Sequence, residues 1–180
     1  PQALPLLILV DISGSMERYA RLLLAFLHQA TRGTPRQIYA FGTDLTDLNQ
    51  AFKLRDTDDM LTLASRQIQD FAGGTQLGKS LTHFRSHFAK KLTGRRTVVL
   101  LISDGLDTGT SETLDSEIVW LKRHTRSLLW LNPLLRFDGY APIATGASVL
   151  NRHVDGMLAI HNLSRLEELA QALTKLLKTN

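Results

Sequence analysis

The sequence predicts an α/β domain: a doubly wound, mostly parallel sheet flanked by helices on both faces. Two patterns carry this prediction. Short, unbroken apolar runs recur along the chain, and runs of that kind fit strands buried on both faces. Between them lie amphipathic stretches with apolar residues at helical spacing, so strand and helix alternate as crossover connections require. The length agrees. A chain of 180 residues, 43% of them hydrophobic, suits one domain that buries roughly 70% of its unfolded surface.

Leu6 to Val10 forms the first run and the first expected strand. Glu17 to Thr31 follows as a helix, with Tyr19, Leu22, Leu23, Phe26, Leu27 and Ala30 at helical spacing and Gly33 and Pro35 as its stop. Gln37 to Phe41 is a second strand, and the stretch to Phe52 is expected to hold a short hairpin-like strand pair. Asp56 to Gln69 reads as helix, with Met60, Leu61, Ala64 and Ile68 on one side. Leu77, Leu81, Phe84, Phe88 and Leu92 mark another amphipathic helix, and Thr97 to Ile102 is the strongest strand signal. A helix over Ser111 to His124 and a strand over Leu128 to Leu131, ended by Asn132-Pro133, come next. Arg136 to Val154 reads as irregular or weakly helical, and Met157 to Ile160 as a last strand. Ser164 to Lys178 is a last helix, opened by a capping box at Ser164 and Glu167. No repeat, low-complexity tract or linker divides the chain, so residues 1–180 read as a single domain.

Composition narrows the function. The chain has no Cys, which removes disulfide frameworks, zinc–thiolate sites and cysteine nucleophiles together. No apolar run approaches the ~18 residues of a membrane span, and no basic residue precedes the first run as in a signal peptide. The expected location is the cytoplasm. The net charge is +4, and no acid falls between Phe71 and Ser103, where Lys79, Arg85, Lys90, Lys91, Arg95 and Arg96 lie. No aromatic interleaves the polar side of that stretch, so it reads as a solvated helix face and not a nucleic-acid surface.

In a sheet of this type the ligand site lies beyond the carboxyl ends of the strands. After the first strand comes Asp11-Ile12-Ser13-Gly14-Ser15, whose oxygen-bearing side chains at alternate positions a turn can direct into one small volume. After the strand from Thr97 comes Ser103-Asp104-Gly105, a second carboxylate at a strand end. Between them, Gly73-Gly74-Thr75 offers a hydroxyl on a flexible loop. Carboxylates and hydroxyls together make an all-oxygen site, suited to Mg²⁺ or Mn²⁺ and not to a soft metal. Asp11 and Ser13 could instead cap the first helix, but capping alone leaves Thr75 and Asp104 without a role.

This constellation resembles the metal-ion-dependent adhesion site (MIDAS) of von Willebrand factor A (vWA) domains, with all of its positions filled by Asp11, Ser13, Ser15, Thr75 and Asp104. The resemblance implies a Rossmann-like vWA fold. It also implies direct metal contacts from Ser13, Ser15 and Thr75, contacts through water or hydrogen bonds from Asp11 and Asp104, and a partner's carboxylate completing the octahedron. Within the vWA domains, the chain resembles the CoxE-like accessory proteins of carbon monoxide dehydrogenase maturation. That likeness rests on Leu9 to Arg21, Phe41 to Thr46, Gly73 to Gly78, Leu101 to Gly105, Trp130 to Pro133, Gly139 to Pro142 and His161 to Leu163. It implies a MoxR-type AAA+ ATPase as partner and a molybdenum hydroxylase as client. Members of that group carry a further N-terminal region, so the expectation is a C-terminal part of a longer protein.

A competing motif overlaps the loop. Gly73 to Ser80 matches the phosphate-binding pattern G-x-x-x-x-G-K-[ST], with Lys79 as its lysine, and Val98 to Asp104 resembles a strand ending in a Mg²⁺-binding Asp. A P-loop needs a buried strand directly before its first Gly, whereas Ser65 to Ala72 is polar and continues a helical pattern. His83 and His87 stand at i, i+4 without a third ligand and read as an exposed pair. No Ser, His and Asp fall in a hydrolase pattern. Trp120 and Trp130 read as core. The expectation is therefore a metal-dependent interaction module and not an enzyme.

Overall fold

A computed structural model describes residues 4–68, 76–88, 94–105, 109–132 and 145–159. Among them are strands β1 (Leu6–Asp11), β2 (Arg36–Phe41), β3 (Leu45–Asp47), β4 (Val98–Ile102), β5 (Ser127–Asn132) and β6 (Gly156–Ala159). The helices are α1 (Glu17–Ala30), α2 (Asn49–Phe52), α3 (Thr57–Gln67), α4 (Leu77–His87), α5 (Ser111–His124) and α6 (Thr145–His153). The strands form one sheet in the order β3-β2-β1-β4-β5-β6. β1 pairs in parallel with β2 and β4, and β5 in parallel with β4 and β6. Only β3 runs antiparallel, at the edge against β2.

The unbroken apolar runs are explained by cover on both faces. Alternate residues of β1 enter two separate cores: Leu6, Ile8 and Val10 pack with α1, α2 and α3, while Leu7 and Leu9 pack with α4, α5 and α6. β4 divides in the same way, Val98, Leu100 and Ile102 against Val99 and Leu101. The doubly wound sheet is as the sequence predicts. Local signals also set the helix starts. Asp56 caps α3 by accepting from the Asp59 N–H at 2.8 Å, with Asp58 and Asp59 in the first turn, where acids complement the helix dipole.

Three expectations change. The hairpin-like pair before Phe52 is one short strand, β3, folded back on β2 and followed by α2. Part of the stretch read as irregular or weakly helical is α6, which places Ala147, Val149 and Leu150 in the core. Trp120, read as core, is half-buried at the rim of α5. The Arg85 guanidinium lies 4.9 Å from its ring centroid and His124 stacks on it at 4.1 Å. Trp130 is fully buried, as expected. The helix expected over Ser164 to Lys178, the end of the helix at Leu92, and Lys90 and Lys91 lie outside the described residues. No helix among the described residues is long and apolar enough to cross a membrane.

The topology fixes where a site can form. The chain leaves β1 for β2 on one side and returns to β4 on the other, so the crevice between β1 and β4 opens at their carboxyl ends. Gly105 lets the chain turn there. Its φ is +79°, and a Cβ would lie 2.6 Å from the Cβ of Ala147 in α6. Gly105→Ala should therefore cost about 2–4 kcal/mol, from left-handed backbone strain plus overpacking. Thermal unfolding of the variant should show a clear drop in melting temperature, and an unchanged midpoint would mean that α6 gives way freely.

Candidate metal centre

The site starts from Asp11, the last residue of β1, which is fully buried. β1 lies between two strands, so its final side chain emerges inside the crevice and not at an edge. The Ile12 N–H still donates to the Phe41 carbonyl at 2.9 Å, and only then does the chain turn. The Ser13 N–H donates to Asp11 Oδ1 at 2.8 Å. A single 3₁₀ turn, Gly14–Met16, leads into α1, with the Met16 N–H on the Ser13 carbonyl at 2.9 Å. α1 has no side-chain cap, so capping it is not what Asp11 and Ser13 do. Ser13 is buried, and the backbone of Ser15 lies in the 3₁₀ turn.

The second half comes from β4. Register pairs Val10 with Ile102, so Ser103 falls beside Asp11. Its hydroxyl donates to Asp11 Oδ2 at 2.9 Å and accepts from the Gly105 N–H at 3.0 Å. The Trp130 indole N–H donates to the Ser103 carbonyl at 2.8 Å and holds that residue from β5. Both oxygens of Asp11 are thus fixed. Asp104 follows, only 3% exposed, close enough that its charge acts on Asp11. Burial pushes the Asp11 carboxyl up from an ordinary 3.8 to about 6; hydrogen bonds from Ser13 and Ser103 oppose the rise, and the Asp104 charge adds to it.

Asp11, Ser13 and Asp104 are therefore brought together at adjacent strand ends. Thr75 lies outside the described residues; the next residue, Gln76, donates its N–H to the Gly42 carbonyl at 3.0 Å, just past β2. Ser103, Gly105 and Trp130 were not singled out as site residues, although Ser103 is the first residue beyond β4. Two carboxylates buried side by side, with hydroxyl donors around them, suit a hard divalent cation, which offsets their mutual repulsion. A cleft of about 500 Å³, lined by Ile12, Gly42 to Asp47, Gln67 and Ile68, opens beside the site.

The phosphate-loop motif is accounted for differently. Gly73 and the residues directly before it lie outside the described residues; the last described before them are α3 and Ile68. Gly78 sits within α4 against α5, where a Cβ would come 3.0 Å from the Leu114 nitrogen. Helix packing explains this glycine, and Lys79 is exposed. His83 and His87 line the outer side of α4 with ring centroids 4.4 Å apart, and His83 Nδ1 is 3.5 Å from the exposed Asp44 carboxylate.

The family model for VWA domain containing CoxE-like protein matches residues 2–166. The chain belongs to this family. No curated protein matches the sequence. Among solved structures, the CoxE-like domain is similar to a von Willebrand factor type A protein from Catenulispora acidiphila (TM-score 0.66, 15% identity, 97% of this chain and 42% of that one). It is also similar to the manganese-loaded TRAP protein of Plasmodium vivax (TM-score 0.65, 17% identity, 98% and 73%). A third is proximal thread matrix protein 1 from the mussel byssus with a zinc-occupied MIDAS motif (TM-score 0.59, 16% identity, 96% and 47%). At these identities the likeness is one of fold. The CoxE-like domain spans less than half of the Catenulispora and mussel chains.

Two predictions follow from this geometry. The folded Asp11 carboxyl keeps its proton to about pH 6, whereas the unfolded one releases it near 3.8. Unfolding therefore releases a proton between those values. Rising pH erodes stability there, and a contribution of up to about 3 kcal/mol present below about pH 4 is lost above about pH 6. In EDTA, Asp11→Asn should melt above wild type at about pH 8, the gap closing towards about pH 4. A variant that melts lower at the higher pH would mean that the carboxylate's hydrogen bonds outweigh its desolvation. Separately, ATP added at constant free Mg²⁺ should leave the melting temperature of wild type and Lys79→Ala unchanged, since a nucleotide bound only to the folded state must raise it.

Proposed function

We propose that the CoxE-like domain is a metal-dependent protein-interaction module. In this reading Ser13, Ser15 and Thr75 contact one divalent cation, Mg²⁺ or Mn²⁺, and Asp11 and Asp104 hold it through water or hydrogen bonds. When bound, the cation supplies an open coordination position and a positive charge for a carboxylate of the partner. The observation that carries the reading is the pair of buried carboxylates, Asp11 and Asp104, at the carboxyl ends of the adjacent strands β1 and β4. The zinc-occupied MIDAS of the mussel protein and the manganese-loaded TRAP protein support a divalent cation in a domain of this fold.

The residues of this chain orient and do not react. Ser103 and the Ser13 amide clamp Asp11 so that its carboxylate cannot swing towards a substrate. His83 and His87 stand on the exposed side of α4, with His83 facing Asp44. This favours binding over catalysis. By family, the partner is a MoxR-type AAA+ ATPase and the client a molybdenum hydroxylase such as carbon monoxide dehydrogenase, with the domain as the adaptor between them.

Isothermal titration should show Mn²⁺ binding to wild type and none to Asp11→Ala; equal binding would remove the site assignment. Capture of a MoxR-type AAA+ ATPase should vanish in EDTA and return with Mg²⁺. Thr75→Ala should weaken it by about 2–5 kcal/mol, roughly thirty- to several-thousand-fold, because a partner carboxylate would lose the charge that offsets its desolvation. Lys90→Ala should change it far less. Capture that persists in EDTA and fails only with Lys90→Ala would replace the metal bridge with charge on the basic stretch.

A further inference from the structure

At the end of the sheet away from the metal centre, basic residues gather beside the start of β2. Arg32 follows α1, Arg36 opens β2, and Lys53 and Arg55 follow α2. These side chains line a groove made of two clefts, about 370 Å³ and about 220 Å³, which share Arg36, Phe52 and Lys53. Leu54, 38% exposed, adds an apolar contact in a basic rim.

The guanidinium groups here are held by carbonyls and not by carboxylates. Arg36 donates to the carbonyls of His28 at 2.8 Å and Phe52 at 2.9 Å, and to Thr31 Oγ1 at 2.7 Å. Arg32 donates to the Arg55 carbonyl at 2.7 Å. Among the described residues no carboxylate lies within ion-pair distance of Arg32, Arg36, Lys53 or Arg55, whereas Arg85, Lys122 and Arg152 each have one. Asp56 comes next in the chain and its charge reaches His28 in the groove wall, but it forms no ion pair with these four cations, and neither it nor the acids of the first turn of α3 line the groove. Exposed Arg95, Arg96 and Arg126, just before β4 and β5, extend the positive charge along the same end. Like charges gathered without counter-ions repel one another and favour an anionic partner.

We infer that this groove binds an acidic segment of a protein partner, at the opposite end of the domain from the metal centre. Its row of cations beside the exposed Leu54 fits an acidic peptide. Nucleic acid fits less well, because Phe52 is only 4% exposed and the Arg36 guanidinium lies 4.9 Å from its ring centroid, which leaves no aromatic face there for a base. The domain then has one metal-dependent end and one metal-independent end, and can hold two partners at once.

The test is fluorescence anisotropy of the whole chain with a labelled Glu-rich peptide at low ionic strength, in EDTA. Wild type should bind equally in EDTA and in Mg²⁺, which separates this groove from the metal reading. Lys53→Glu with Arg55→Glu should weaken binding by about tenfold or more, and the milder Lys53→Gln with Arg55→Gln should weaken it in the same direction. The charge-matched pair Arg66→Glu with Arg123→Glu, exposed and outside the groove, should bind as wild type, and single-stranded DNA should bind more weakly than the peptide. Equal losses in the two Glu pairs, tighter DNA binding, or no peptide binding by wild type would each overturn the inference.

Discussion

The structure is organised around one buried carboxylate. Asp11 ends a central strand of the sheet, and its side chain is fully buried there. A carboxylate in that position is costly unless donors surround it. The neighbours supply them in a chain that crosses three strands. The Ser13 amide takes one oxygen, the Ser103 hydroxyl takes the other, Gly105 steadies that hydroxyl, and the Trp130 indole steadies the Ser103 backbone. The left-handed turn at Gly105 and the close approach of α6 there follow from the need to bring Ser103 and Asp104 to this point.

These bonds offset only part of the desolvation, and burial together with the Asp104 charge leaves the Asp11 carboxyl raised to about 6. Fully satisfied carboxylates would have little use for a cation. Two that are oriented, buried and still mutually repulsive favour one strongly. The domain thus retains a local instability at the place where the proposed ligand would relieve it, a common feature of binding sites.

Doubly wound topology then separates functions in space. All the parallel strands point the same way, so one end of the sheet collects residues that follow strands and the other collects residues that precede them. Here the first set carries Asp11, Asp44 and Asp104, and the second carries Arg36, Arg95, Arg96 and Arg126, with Asp155 before β6 paired to Lys122. A domain polarised in this way suits an adaptor, because two partners can approach from opposite ends without competing.

Much of this was legible in the sequence because the signals are local. The apolar runs of β1 and β4, the stripe of α4, and the Asp11-x-Ser13-x-Ser15 and Asp104 positions at strand ends depend on spacing within a few residues. The resemblance to vWA domains was likewise carried by contiguous motifs. Other features depended on which strands lie side by side. Ser103 matters because β4 is in register with β1, and Trp130 because β5 is in register with β4. Trp120 shares its helix with core residues and packs against them, yet stays half-buried under Arg85 and His124. The basic groove joins residues after α1, at the start of β2 and after α2, none of which forms a pattern along the chain. Periodicity reports what one segment buries. Register and packing decide which distant segments meet, and those are properties of the folded chain alone.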